Sequence, residues 1–280
     1  DREKRVQRVL LGTLNIFCFG SLALFFFVIL AGINYYRYPF SYYSELEIYD
    51  SSVDELYALN ESLVQDVNSL RANAETDENG VFKLTTNVYE LADMADDAME
   101  HLAEEYPVLG GKYASPKPVY LSYLMSYSEI AGIFMPYTME ANVNTAFTDY
   151  FIPATMLHEL AHLRGFMRED EANYIAYLAG MISGNDEIAY SSAMLALTIA
   201  GNALYDQSID LYFQIRDQYS EGVLRDIMAK KAYLQNYDNR VISTLSHKIN
   251  DTYLKANSQT DGVKSYGRMV DLLLAKYRKE

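Results

Sequence analysis

His158-Glu159-Leu160-Ala161-His162 places two imidazoles and a carboxylate within five residues. If the segment is helical, positions four apart leave the same face, so both rings can share one metal ion. Glu159 is the next residue along and can reach a water on that ion from the side. Zinc lowers the pKa of such a water, Glu159 takes its proton, and the resulting hydroxide can attack a peptide carbonyl. The chain holds 4 histidines in 280 residues and two of them fall here, which favours this reading over an amphipathic helix with two structural histidines.

A zinc site needs a third protein ligand, and the residues after His162 can supply one. Gly165 can end the helix in a left-handed cap and turn the chain sharply. Arg168 stands where metzincins carry their third histidine, and it cannot ligate zinc. Glu169 follows, and Glu171 is the alternate ligand. On a helix that begins near Arg168, Glu169 shares a face with Asn173, while Glu171 points about 200° away. Glu169-Asp170-Glu171 would also suit an acidic first turn at a helix N-terminus.

Several elements must position these groups. Ser52-Val53-Asp54-Glu55 is a capping box that opens a helix running to about Ala72. Helical spacing resumes at Val88 and stops before Pro107. Val119 to Asn144 reads as sheet, with strands over Ile130–Met135 and Ala141–Asn144 joined by a turn through Pro136–Met139. Pro153 suits the first turn of the helix that carries the histidines. Further helices are expected over Asp186–Asp206, Ile209–Gln218, Glu221–Tyr237, Val241–Ala256 and Tyr266–Tyr277.

Val9 to Tyr36 contains no charged residue and is long enough to cross a bilayer as a helix. Arg2, Lys4, Arg5 and Arg8 precede it, Arg37 alone follows closely, and Tyr35, Tyr36 and Tyr38 would lie at an interface. The positive flank places the N-terminus in the cytoplasm and the main domain outside. The expected organisation is a cytoplasmic flank (1–8), a transmembrane helix (9–36) and an extracytoplasmic domain (37–280). Ile188 to Tyr205 is also uncharged, and its polar residues make it a buried core helix rather than a second span. The single cysteine, Cys18, excludes an intrachain disulfide, and the net charge of −15 argues against nucleic acid as a partner.

Arg168-Glu169-Asp170-Glu171-Ala172-Asn173 resembles the R-E-x-x-A-D segment of the CAAX-prenyl-protease class of membrane metallopeptidases. The likeness implies that Glu169 binds the metal and that Asn173 takes the place of a supporting aspartate. The chain differs in having a neutral residue at 173 and only six residues between His162 and Glu169. More broadly, Gly132–Thr138, Glu140–Asn144, HELAH…REDEAN, Tyr253–Asn257 and Gly262–Arg268 together resemble a bacterial membrane-anchored HExxH family catalogued as domain of unknown function 3810. This resemblance implies a mainly α, zincin-like domain of gluzincin type with a small β-hairpin or sheet, held behind its anchor, with a further span ahead of Asp1. It also implies an edge strand at Ala141, Asn142, Val143 and Asn144 that pairs with extended substrate.

An oxyanion-stabilising donor is expected in the C-terminal part, where Tyr266 is the nominee and His247, Tyr253 and Arg268 are the other candidates. Lys255, Asn257 and Ser265 carry no assigned role. The expected activity is a membrane-anchored zinc (Zn2+) endopeptidase with His158, His162 and Glu169 as ligands, Glu159 as general base, and a peptide or protein substrate. The alternatives are a non-catalytic envelope scaffold or peptide-binding module, and a zinc hydrolase acting on a cell-wall amide or lipid-linked group.

Overall fold

Helix α1 (Arg2–Leu30) opens the computed structural model, which describes residues 2–237, Lys248 and residues 269–279. It buries none of its side chains, and it is long and apolar enough to cross a membrane, a property that signal sequences share. The uncharged run outlasts the α-helix, because the backbone breaks at Ala31 and tightens into one 3₁₀ turn over Gly32–Tyr36. A single helical turn, α2 (Phe40–Tyr43), follows after Pro39.

The body of the protein is helical. It comprises α3 (Val53–Ala72), α4 (Val88–Glu105), α5 (Ser122–Ser126), α6 (Ile152–Leu163), α7 (Glu169–Met181), α8 (Asp186–Gln207), α9 (Ile209–Arg216), α10 (Glu221–Asn236) and α11 (Met269–Tyr277). Local chemistry sets the boundaries. The Ser52–Glu55 capping box is formed in both directions, and Asn87, Asn185, Ser208 and Ser220 each accept a backbone N–H at a helix start. The expected helices are found within one or two residues of their described ends. Val241–Ala256, apart from Lys248, lies outside the described residues. α8 is the second uncharged run, and it is a core helix packed against α3, α6 and α7.

Among the described residues three short strands, β1 (Lys117–Pro118), β2 (Gly132–Met135) and β3 (Glu140–Val143), form a sheet in the order β1-β3-β2. β2 and β3 are an antiparallel hairpin, and β1 adds in parallel through Lys117↔Asn142 and Pro118↔Val143. This corrects one expectation. The strand at Ala141, Asn142 and Val143 is central, and Asn144 is held by Ala131, Ser126 and Ile130, so the edges among the described residues are β1 and β2. The added neighbour is two residues long and contains a proline, which leaves no alternating pattern to read.

One buried ionic network ties the helices together. Asp226 on α10 is fully buried and accepts from Arg71 Nε (2.7 Å), Tyr190 Oη (2.6 Å) and the Phe82 backbone N–H (2.7 Å). It thereby joins α3, α8, α10 and the loop after α3. A buried pair that loses one member leaves an uncompensated charge. Asp226→Ala is therefore expected to lower stability by about 3–5 kcal/mol in urea unfolding; a change within error of zero would show that the network contributes nothing to holding these helices.

Candidate metal centre

The site is built on two consecutive helices and the elbow between them. Pro153 sits in the first turn of α6, and His158 and His162 project from one face with ring centroids 4.6 Å apart. Beyond Leu163 the helix cannot continue, because Gly165 takes φ +88° and the Phe166 N–H folds back onto the Ala161 carbonyl. Arg168 is extended and caps α7, whose first residue is Glu169. That reversal returns Glu169 to the two histidines.

The resulting distances are short. Glu169 Oε2 lies 3.1 Å from His158 Nε2, and Oε1 lies 3.8 Å from His162 Nε2. One ligand atom from each of the three residues falls within 4.8 Å of the others. Zinc bonds of about 2.0–2.2 Å in tetrahedral array place ligand atoms about 3.3 Å apart, so the cluster is close to the required size. The outer nitrogens are tied as well. His158 Nδ1 donates to Asn173 Oδ1 and His162 Nδ1 to the Phe166 carbonyl, each at 2.8 Å, which directs both Nε2 lone pairs inward. Two nitrogens and a carboxylate with their outer contacts satisfied are a donor set that fits zinc.

Glu171 is not part of the cluster. Its Oε1 accepts from the Phe40 backbone N–H (3.0 Å) and from Arg168 (3.2 Å), on the opposite face of α7. Asn173 does meet His158, where the resemblance put its supporting role. Tyr266, His247, Tyr253 and Arg268, with Lys255, Asn257 and Ser265, lie outside the described residues.

The chain belongs to the family described as protein of unknown function DUF3810, which matches residues 1–274. No curated protein and no solved structure matches it.

Glu159 faces the sheet. A Cβ on Gly132 would fall 2.4 Å from Glu159 Oε1, so only glycine admits the carboxylate at this point of β2. The Asn144 N–H bonds the Ala131 carbonyl, which makes 131/144, 133/142 and 135/140 the hydrogen-bonded pairs. The peptide groups of Gly132 and Phe134 therefore turn away from β3, and the Phe134 backbone lies close enough to Glu159 to favour its charged form. Glu159 Oε2 is buried without a hydrogen-bond partner. Sequence reasoning overlooked Gly132; a glycine inside a strand, a mark of close approach, was the available signal.

These contacts bias protonation. Burial, reinforced by the charge of Glu169, pushes Glu159 up to about 8. Burial opposes charge on His158, but its hydrogen bond and attraction to Glu169 prevail and raise it to about 9. Burial and the neighbouring His158 lower His162 to about 4. Burial works upward on Glu169 too, yet His158 and His162 hold it below the ordinary carboxylate range.

A metal ion needs His158 neutral, so binding must displace its proton. The same proton supports the metal-free fold, a contribution complete below pH 6.5 and lost as pH rises through about 9. Zinc affinity in titration calorimetry is thus expected to climb from pH 6 to 9, with one ion per chain. Glu169→Ala should lose that ion and Glu171→Ala should keep it. A pH-independent affinity, or loss with Glu171→Ala alone, would contradict this assignment.

Proposed function

We propose that the protein is a membrane-anchored, zinc-dependent endopeptidase with a zincin-like active site. The observation that carries this reading is the convergence of His158, His162 and Glu169, with both imidazoles oriented from behind and Glu159 alongside with a buried, unpartnered oxygen. His158, His162 and Glu169 would hold the ion, which supplies Lewis acidity to a water and to a substrate carbonyl.

The chain's own groups account for the rest. Glu159 is the proton acceptor and later the donor to the leaving amine. A carboxylate raised toward neutrality is suited to both steps. Gly132 leaves room for that side chain, and Asn173 and the Phe166 carbonyl hold the imidazoles in register. β2, as the sheet edge beside Glu159, is the strand on which an extended peptide would align, in place of β3. In this reading α1 spans the membrane, with the basic flank Arg2–Arg8 in the cytoplasm and the domain outside.

Glu159→Gln is expected to retain zinc and to cleave a peptide library on the order of 10²–10⁴-fold more slowly than wild type. Unchanged cleavage by this variant would overturn the assignment of the base. A wild-type protein that binds zinc and peptides but cleaves none would point instead to a non-catalytic peptide-binding scaffold.

A further inference from the structure

The metal centre is not joined to α1 by a loose linker. Arg37, just beyond the 3₁₀ turn, places its guanidinium 4.3 Å from the Phe166 ring centroid and donates to the Arg164 carbonyl at 2.8 Å. Phe40 is buried in the core, and its N–H is taken by Glu171. Ala31, Tyr35 and Met167 form a small buried cluster with Phe27 and Phe134 packed against it. The last turn of α1 is thus packed against both the α6–α7 elbow and β2.

The β2–β3 hairpin continues down the side of α1. Tyr137, in the turn, donates its hydroxyl to the Ala23 carbonyl at 3.3 Å, well inside the uncharged run. Gly132 to Met139 contains no charged residue, and Ile133, Tyr137 and Met139 are 42%, 51% and 40% exposed. Charge returns at Glu140, which pairs with Lys117. If Arg8 marks the inner boundary of the hydrocarbon, the 15 residues to Ala23 rise about 22 Å, short of a core about 30 Å thick. Tilt of the helix would leave Ala23 deeper still.

We propose that the tip of this hairpin, Met135 to Met139, is a membrane-inserting element that enters the outer leaflet beside α1 and holds β2 and the metal cleft at the bilayer surface. The partner is the lipid interface itself. Exposed apolar side chains continuous with a lipid-facing helix are stabilised there, and a tyrosine suits the boundary between hydrocarbon and headgroups. The proposal rests on α1 spanning the bilayer, and the test separates the two.

The full chain would be reconstituted in phosphatidylcholine vesicles with doxyl-labelled acyl chains, carrying one environment-sensitive fluorophore at a time. The sites are native Cys18, the only cysteine, and Tyr137→Cys, Met139→Cys or Tyr89→Cys in a Cys18→Ser background. Tyr89 is exposed on α4 and serves as the aqueous reference. Quenching at 137 and 139 approaching that at 18, with none at 89, is expected. Quenching at 18 with 137 and 139 behaving like 89 would overturn the hairpin insertion and leave the anchor standing. No quenching at 18 would overturn the anchor and the insertion together.

Discussion

The elbow between α6 and α7 is the constraint on which the rest depends. Gly165 adopts a left-handed backbone, and Arg37 fills the space beside it, with Nη1 2.8 Å from where a Cβ would stand. The guanidinium also closes the Arg164 carbonyl that the ending helix leaves without an intrahelical donor. One turn therefore does two jobs. It reverses the chain so that Glu169 meets His158 and His162, and it receives the segment that follows α1. A side chain at 165 would face both an unfavourable φ and a clash with the arginine.

The carboxylates around the two histidines are set in different surroundings. Glu169 and Glu171 are two residues apart at the start of one helix, and the helical rotation sends them to different tasks. Glu169 joins the histidines, whereas Glu171 binds Arg168 and the Phe40 backbone. Glu159 is set against Gly132 of β2, where burial favours its protonated form. The two carboxylates are thus shifted in opposite directions: burial acts upward on both, but contact with the imidazoles holds Glu169 down while Glu159 stays raised.

Behind the site, the fold is held by long-range polar contacts as well as by the apolar core. Arg164 donates to Asp96 on α4 and to the Leu109 carbonyl, which secures the end of α6 from the far side. Asp226 does the same for α3, α8 and α10. These pairs join residues far apart in sequence, 68 positions for Arg164–Asp96 and 155 for Arg71–Asp226, and no local pattern announces them.

What the sequence by itself determined is local in character. Caps, prolines and apolar spacing place the helices, because each depends on neighbours within a turn or two. HELAH, Gly165 and the start of α7 are legible for the same reason, and with them the approach of Glu169 rather than Glu171 to the two histidines, since helical rotation sends the two carboxylates to different faces. Tertiary structure alone decided that β3 is the central strand, because β1 is a two-residue partner brought in from outside the hairpin. It also decided that Gly132 must lack a side chain to admit Glu159, that Arg37 ties the segment after α1 to the α6–α7 elbow, and that Tyr137 reaches the flank of α1. Such contacts arise from packing elements against one another, so their energies depend on partners that residue spacing does not encode.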